Sequence, residues 1–176
     1  MNPKNNSSKT HYVTQAIIIG GALTTIIGFL LNCTTFFYKE QPQLEIKCME
    51  KKIILDIPPI KELRADIRYK DSIPIHNLWE IHYRLTNTGN INIIGEGEHS
   101  LLLSQGLPLH WKNIKQILDI RIEDDSRVKI KGNTLYFKQW KVNECIHLTV
   151  YAESTGKVPS LQIDSHDIID SDITYR

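Results

Sequence analysis

LWEIHYRLTNTGN, residues 78–90, decides the fold class. Trp79, Ile81, Tyr83 and Leu85 fall on one side of an extended chain, and Glu80, His82, Arg84 and Thr86 fall on the other. Successive side chains of a strand point to opposite faces, so this run has one dry face and one wet face, as in an antiparallel sheet. It ends in Asn87-Thr88-Gly89-Asn90, residue types that reverse a chain because they tolerate positive φ.

The same alternation extends in both directions. Upstream, residues 44–48 alternate, 52–57 form a short apolar strand stopped by Pro58-Pro59, and 63–70 form a third strand broken over 71–74. Downstream, residues 91–94 return, and Gly95-Glu96-Gly97 marks a bend or bulge. Residues 99–117 are irregular, with Leu107-Pro108-Leu109 as an edge segment. Leu118, Ile120 and Ile122 then alternate with Asp119, Arg121 and Glu123. Residues 128–130 and 135–137 flank a tight turn at Gly132-Asn133, and 140–144 read as a loop. Ile146, Leu148, Val150 and Ala152 make the core face of a strong strand, 154–160 a loop, and 161–163 and 173–175 the last strands. Eight to ten short strands without an amphipathic helix predict an all-β domain over residues 43–176. An immunoglobulin-like or related β-sandwich is the first expectation and a small closed barrel the second.

The N-terminal quarter is of another kind. Residues 16–37, AIIIGGALTTIIGFLLNCTTFF, carry no charge over 22 positions. At 1.5 Å per residue this is roughly 33 Å of helix, enough to cross a hydrocarbon core of about 30 Å. His11 and Tyr12 precede it, and Tyr38 and Lys39 close it, the aromatic and basic residues that suit a membrane interface. A single transmembrane helix is expected over 12–38, after a disordered tail (1–11) and before a short junction (39–42). The competing reading is a cleavable signal, with Lys4 and Lys9 as its basic region. It fits less well, because Asn32 precedes Cys33 where a lipoprotein box wants a small residue, and the apolar run continues to Phe37. Ala16, Gly20, Thr24, Gly28 and Asn32 recur every fourth residue. Small residues at that spacing let helices approach closely, so Gly20, Thr24, Gly28 and Asn32 are expected to mediate self-association, and the protein is expected to be a homo-oligomer.

Lys39, Lys47, Lys51 and Lys52 outnumber Lys4 and Lys9, which places the C-terminal domain on the cytoplasmic side of the inner membrane. Cys48 and Cys145 are too few for a disulfide framework, although one bridge between them would favour export. Residues 40–176 hold 18 of the 21 Lys and Arg and all 20 Asp and Glu, a net of −2. That balance excludes a general basic field for long nucleic acid. It leaves room for a local anion pocket.

No phosphate-cradling glycine loop, HExxH, paired CxxC or GxSxG occurs, and the seven histidines are scattered. His76 and His82 lie closest together, Ser165-His166-Asp167 is a local string, and Asp164, Asp167, Asp170 and Asp172 read as a solvated acidic terminus. No enzyme, cofactor or metal site is expected. Two aromatic–basic clusters suggest binding instead, His110-Trp111-Lys112 and Lys138-Gln139-Trp140-Lys141. Cations pair with phosphates and aromatic rings stack on bases. The candidate ligand contacts are therefore Arg84, Lys112, Lys138 and Lys141, with Trp111 or Trp140 for stacking.

LWEIHYRLTNTGNINIIG with the later FKQW and ECIHLTVYAE resembles a recurrent prokaryotic β-sandwich pattern, which implies fold rather than activity. In size, topology and domain order the chain resembles the small membrane effectors of type III CRISPR defence. That resemblance implies a cytosolic domain that oligomerises, binds the cyclic oligonucleotide cyclic tetra-adenylate and disturbs the membrane in antiviral defence. The alternative is a membrane-tethered β-sandwich module that recruits a protein partner and binds no ligand.

Overall fold

The computed structural model describes residues 40–57, 67–70, 73–123 and 126–176. The tail, the expected transmembrane helix and its stripe of Gly20, Thr24, Gly28 and Asn32 lie outside the described residues, as does the first half of the strand expected over 63–70. No helix among the described residues is long and apolar enough to cross a membrane. Glu40–Arg176 is a compact unit of its own.

The described residues are mostly strand. In chain order they form β1 (Gln43–Asp56), β2 (Arg68–Tyr69), β3 (Ile73–Pro74), β4 (Asn77–Asn87), β5 (Ile93–Ile94), β6 (Leu107–Pro108), β7 (His110–Lys112), β8 (Ile114–Glu123), β9 (Val128–Lys131), β10 (Thr134–Phe137), β11 (Gln139–Trp140), β12 (Cys145–Ser154), β13 (Ser160–Gln162) and β14 (Asp172–Tyr175). Ser165–Asp167 forms a 3-10 turn, with the Asp164 carboxylate accepting from the His166 N–H. The largest sheet has the order β14-β1-β4-β12-β8. Its pairs are antiparallel except β1 with β14, which run parallel. The smaller ladders are β6-β10-β9, β11-β5, β13-β7 and β2-β3.

The dry face of the opening stretch is where its pattern puts it. Ile81, Tyr83 and Leu85 are buried in one cluster with Leu44 and Ile46 of β1 and with Ile146, Leu148, Val150 and Ala152 of β12. The same cluster takes in Ile93, Leu107, Leu135, Phe137 and Trp140 from the smaller ladders, so these cover the inner face of the large sheet. Burying apolar surface at about 25 cal/mol per Å² is what holds the layers together.

Four details correct the sequence reading. The two strands expected at 44–48 and 52–57 are one, β1, because bulges at Met49 and Ile54 absorb the breaks in its alternation. A bulge in β8 sets Tyr151 opposite Asp119 and Ala152 opposite Ile117, so Leu118 is the extra residue and leaves the face of Ile120 and Ile122. Trp140 is in β11 rather than in a loop. Gly89 does not take positive φ. Its glycine is needed because a Cβ there would lie 2.5 Å from the Gln43 nitrogen and 2.6 Å from the Gln41 oxygen. Gly132 does take positive φ, at 59°, as the first residue of the two-residue hairpin turn between β9 and β10.

Gln41 and Pro42, expected as junction, are hydrogen-bonded into the unit. Gln41 donates its N–H to Asn90 Oδ1 (2.8 Å), and Pro42 O accepts from Asp172 N (3.1 Å). Cys48 and Cys145 are free thiols. Cys48 stands opposite Tyr83 of the inner face, whereas Cys145 stands opposite Thr86 of the outer face, so the sheet separates them.

Candidate functional site

A groove of about 410 Å³ lies over the junction of β9, β10 and β11. Arg127, Lys129, Lys138 and Lys141 line it, with Tyr136 and Gln139 among its walls and Glu96 on its rim. Alternation along β9 and β10 builds it. Leu135 and Phe137 go into the core, which leaves Tyr136 outside, directly across from Lys129. Lys138 stands between β10 and β11, and its carbonyl accepts from the Gly95 N–H at 3.0 Å. A Cβ on Gly95 would come within 2.2 Å of the Phe137 carbonyl. That close passage brings Glu96 up to the lysines.

Lys141 is held from below by a buried clasp. Asn87 is fully buried, and its Nδ2 donates to Ile91 O (2.9 Å) and Trp140 O (3.0 Å) while its Oδ1 accepts from Gly89 N (3.1 Å). Trp140 Nε1 donates to Glu144 O at 2.9 Å. The Glu144 carboxylate accepts from Lys141 N (3.0 Å) and from Arg127 (2.8 Å). These bonds, the Lys141 amide first, hold the Glu144 carboxyl below its ordinary range. Lys129, Lys138 and Lys141 are exposed and make no direct ion pair with a described residue, although the Lys141 charge also helps to lower the Glu144 carboxyl. Ammonium groups left in this state can take an anion from solution, with a strength that salt reduces.

A second groove, of about 570 Å³, adjoins the first. Gly97, Ser100, Ser104 and Gln105 line it, and it shares Glu96 and Tyr136 with the lysine groove. Lys131 lies over the Tyr136 ring at 5.7 Å.

The six ligand contacts expected from sequence do not come together. Lys138 and Lys141 share the lysine groove. Trp140 is 2 % exposed, packed edge-on against Phe137 with ring centroids 5.5 Å apart, and this removes it as a stacking surface. Trp111 and Lys112 are on β7, where the half-buried Trp111 ring leans on Tyr83 at 6.1 Å. Arg84 is on the outer face of the large sheet, with its NH2 4.0 Å from Glu45. Lys129, Tyr136 and Glu96 are the residues that sequence reasoning left out. The alternation Arg127-Val128-Lys129-Ile130-Lys131 already sets three cations on one face of a strand.

The outer face of the large sheet carries a polar network. Thr149 Oγ1 donates to Glu123 at 2.6 Å and lies 3.0 Å from His82 Nδ1, and Tyr151 donates to Glu80 at 2.9 Å. His76 is not part of it, since its contacts are with the buried Glu153, which Lys115 also meets at 3.1 Å. Among the described residues no group of three or more His, Cys, Asp or Glu is placed to hold a metal ion. Comparison of the chain with family models, with curated proteins and with solved structures finds no match.

Proposed function

We propose that this is a single-pass membrane protein whose β-domain, an immunoglobulin-like sandwich on the cytoplasmic side, binds an anionic ligand in the lysine groove. The observation that carries this reading is the convergence of Lys129, Lys138 and Lys141 on one groove, none of them in an ion pair with a described residue. A domain of net charge −2 that gathers cations locally is suited to a small anion and unsuited to long nucleic acid. A cyclic oligonucleotide second messenger is the ligand class we assign, because its phosphates repeat around a ring. A symmetric oligomer presents one such groove per protomer around an axis. The charge-free stretch 16–37 with its small-residue stripe supports both the anchor and the oligomer, and through them an effect of the ligand on membrane integrity.

The test is binding of cyclic oligonucleotides to the full chain in detergent, wild type against the double variant Lys138→Gln, Lys141→Gln, at two salt concentrations. We expect affinity to fall by about tenfold or more in the variant and to fall with salt in the wild type. No binding of any cyclic oligonucleotide at high micromolar concentration would sink the proposal. The second reading, a tethered module for a protein partner, is favoured by the exposed Met49, Ile53 and Ile54 of β1. Under it, substitution of Ile53 and Ile54 by Thr would abolish partner capture while the lysine variants leave it intact.

A further inference from the structure

Resting on the anion-binding reading, we infer that the two adjoining grooves form one bipartite site for a ribonucleotide unit, and that Glu96 and Tyr136 decide its specificity. The lysine lobe takes the phosphate. Glu96, on the rim that both lobes share, is a carboxylate beside a cation cluster, so it repels a bare anion. It attracts a ligand that presents a hydrogen-bond donor next to its phosphate, and the 2′-hydroxyl of a ribose is such a donor. Tyr136 is the aromatic residue common to both lobes and takes the stacking role that the buried Trp140 cannot. The lobe beyond it is neutral, and its Gln105 amide can bond a base edge, since the Ser100 and Ser104 hydroxyls are already given to the backbone carbonyls of Ile94, Gly95 and Gly106, while Gly97 leaves room at the wall. An inorganic anion or a carboxylate metabolite uses only the first lobe. A nucleotide with a ribose uses both.

Glu96 therefore acts in opposite directions on different ligands, and this makes the inference testable. The probes are inorganic phosphate, a ribonucleoside 3′-monophosphate and its 2′-deoxy counterpart, titrated against the full chain in detergent by calorimetry. In the wild type we expect the order ribonucleotide, deoxynucleotide, phosphate, with about tenfold between the first two. Glu96→Ala should abolish the preference for ribose and at the same time strengthen phosphate binding. Tyr136→Leu should bring the ribonucleotide down to the level of phosphate, whereas Tyr136→Phe, which keeps the ring, should not. If phosphate and ribonucleotide bind the wild type equally, or Glu96→Ala leaves the ribose preference intact, the bipartite site is wrong and the lysine groove remains as a simple anion site. If neither phosphate nor any nucleotide binds, the anion-binding reading fails and this inference with it.

Discussion

Asn87 looks like a turn residue in the sequence and is a core residue in the fold. All three of its side-chain hydrogen bonds go to backbone groups, on Gly89, Ile91 and Trp140, with no water needed to complete them. Asn87→Ala takes the side-chain donor away from two carbonyls, Ile91 O and Trp140 O, and an acceptor away from the Gly89 N–H, and should cost about 2–4 kcal/mol in chemical denaturation. Because the clasp also fixes Trp140 and hence Lys141, ligand affinity should fall further than stability alone explains. Glu144 shows the electrostatic side of the same clasp. Its carboxyl is lowered in the folded state, so the stabilisation it gives is present above the unfolded value, about 4.3, and disappears as pH falls through the lower folded value. Glu144→Gln cannot ionise. The melting-temperature gap between wild type and this variant should therefore be widest near neutral pH and narrow in acid.

At the scale of elements, glycines mark where one piece of backbone passes against another. Gly89→Ala drives a methyl into the backbone of Gln41 and Gln43 and should cost about 2 kcal/mol or more, measured by thermal or denaturant unfolding. Gly97→Ala meets open space but carries the strain of positive φ, so about 1 kcal/mol is expected there. The difference explains what was legible. The alternation of β4 and β12 was plain in the sequence because one face of each is dry, and that fixed the all-β class. The continuity of β1 was not, because bulges at Met49 and Ile54 interrupt the period without ending the pairing. The groove was half legible. Lys138 and Lys141 stood beside a tryptophan, and the sequence offers no sign of which aromatic ring is buried. Burial followed from Asn87 and Glu144, whose bonds to Trp140 span 53 and 4 positions. Glu96 and Tyr136 were missed because their proximity depends on Gly95 packing under Phe137, a contact between elements far apart in the chain.

The molecule as a whole combines a membrane-length apolar stretch with a β-domain whose large sheet is closed on one side by its last strand. β14 lies parallel to the start of β1, Arg176 exchanges backbone bonds with Ile46 and Cys48, and its guanidinium reaches Glu45 at 3.0 Å. This has a consequence for biosynthesis. β1 is among the first parts of the domain to leave the ribosome, and β14 among the last. At about 5–20 residues per second, the outer edge of β1 waits on the order of ten seconds for its partner. Throughout that interval it offers unpaired N–H and C=O groups to any neighbouring nascent chain. Thr174→Pro, which breaks the β14 ladder, should therefore lower the fraction recovered as a monodisperse species in size-exclusion chromatography far more than it lowers the melting temperature of the protein that does fold. A loss confined to the melting temperature would mean that the waiting edge is protected in some other way, and a holdase bound to β1 during translation would be the place to look.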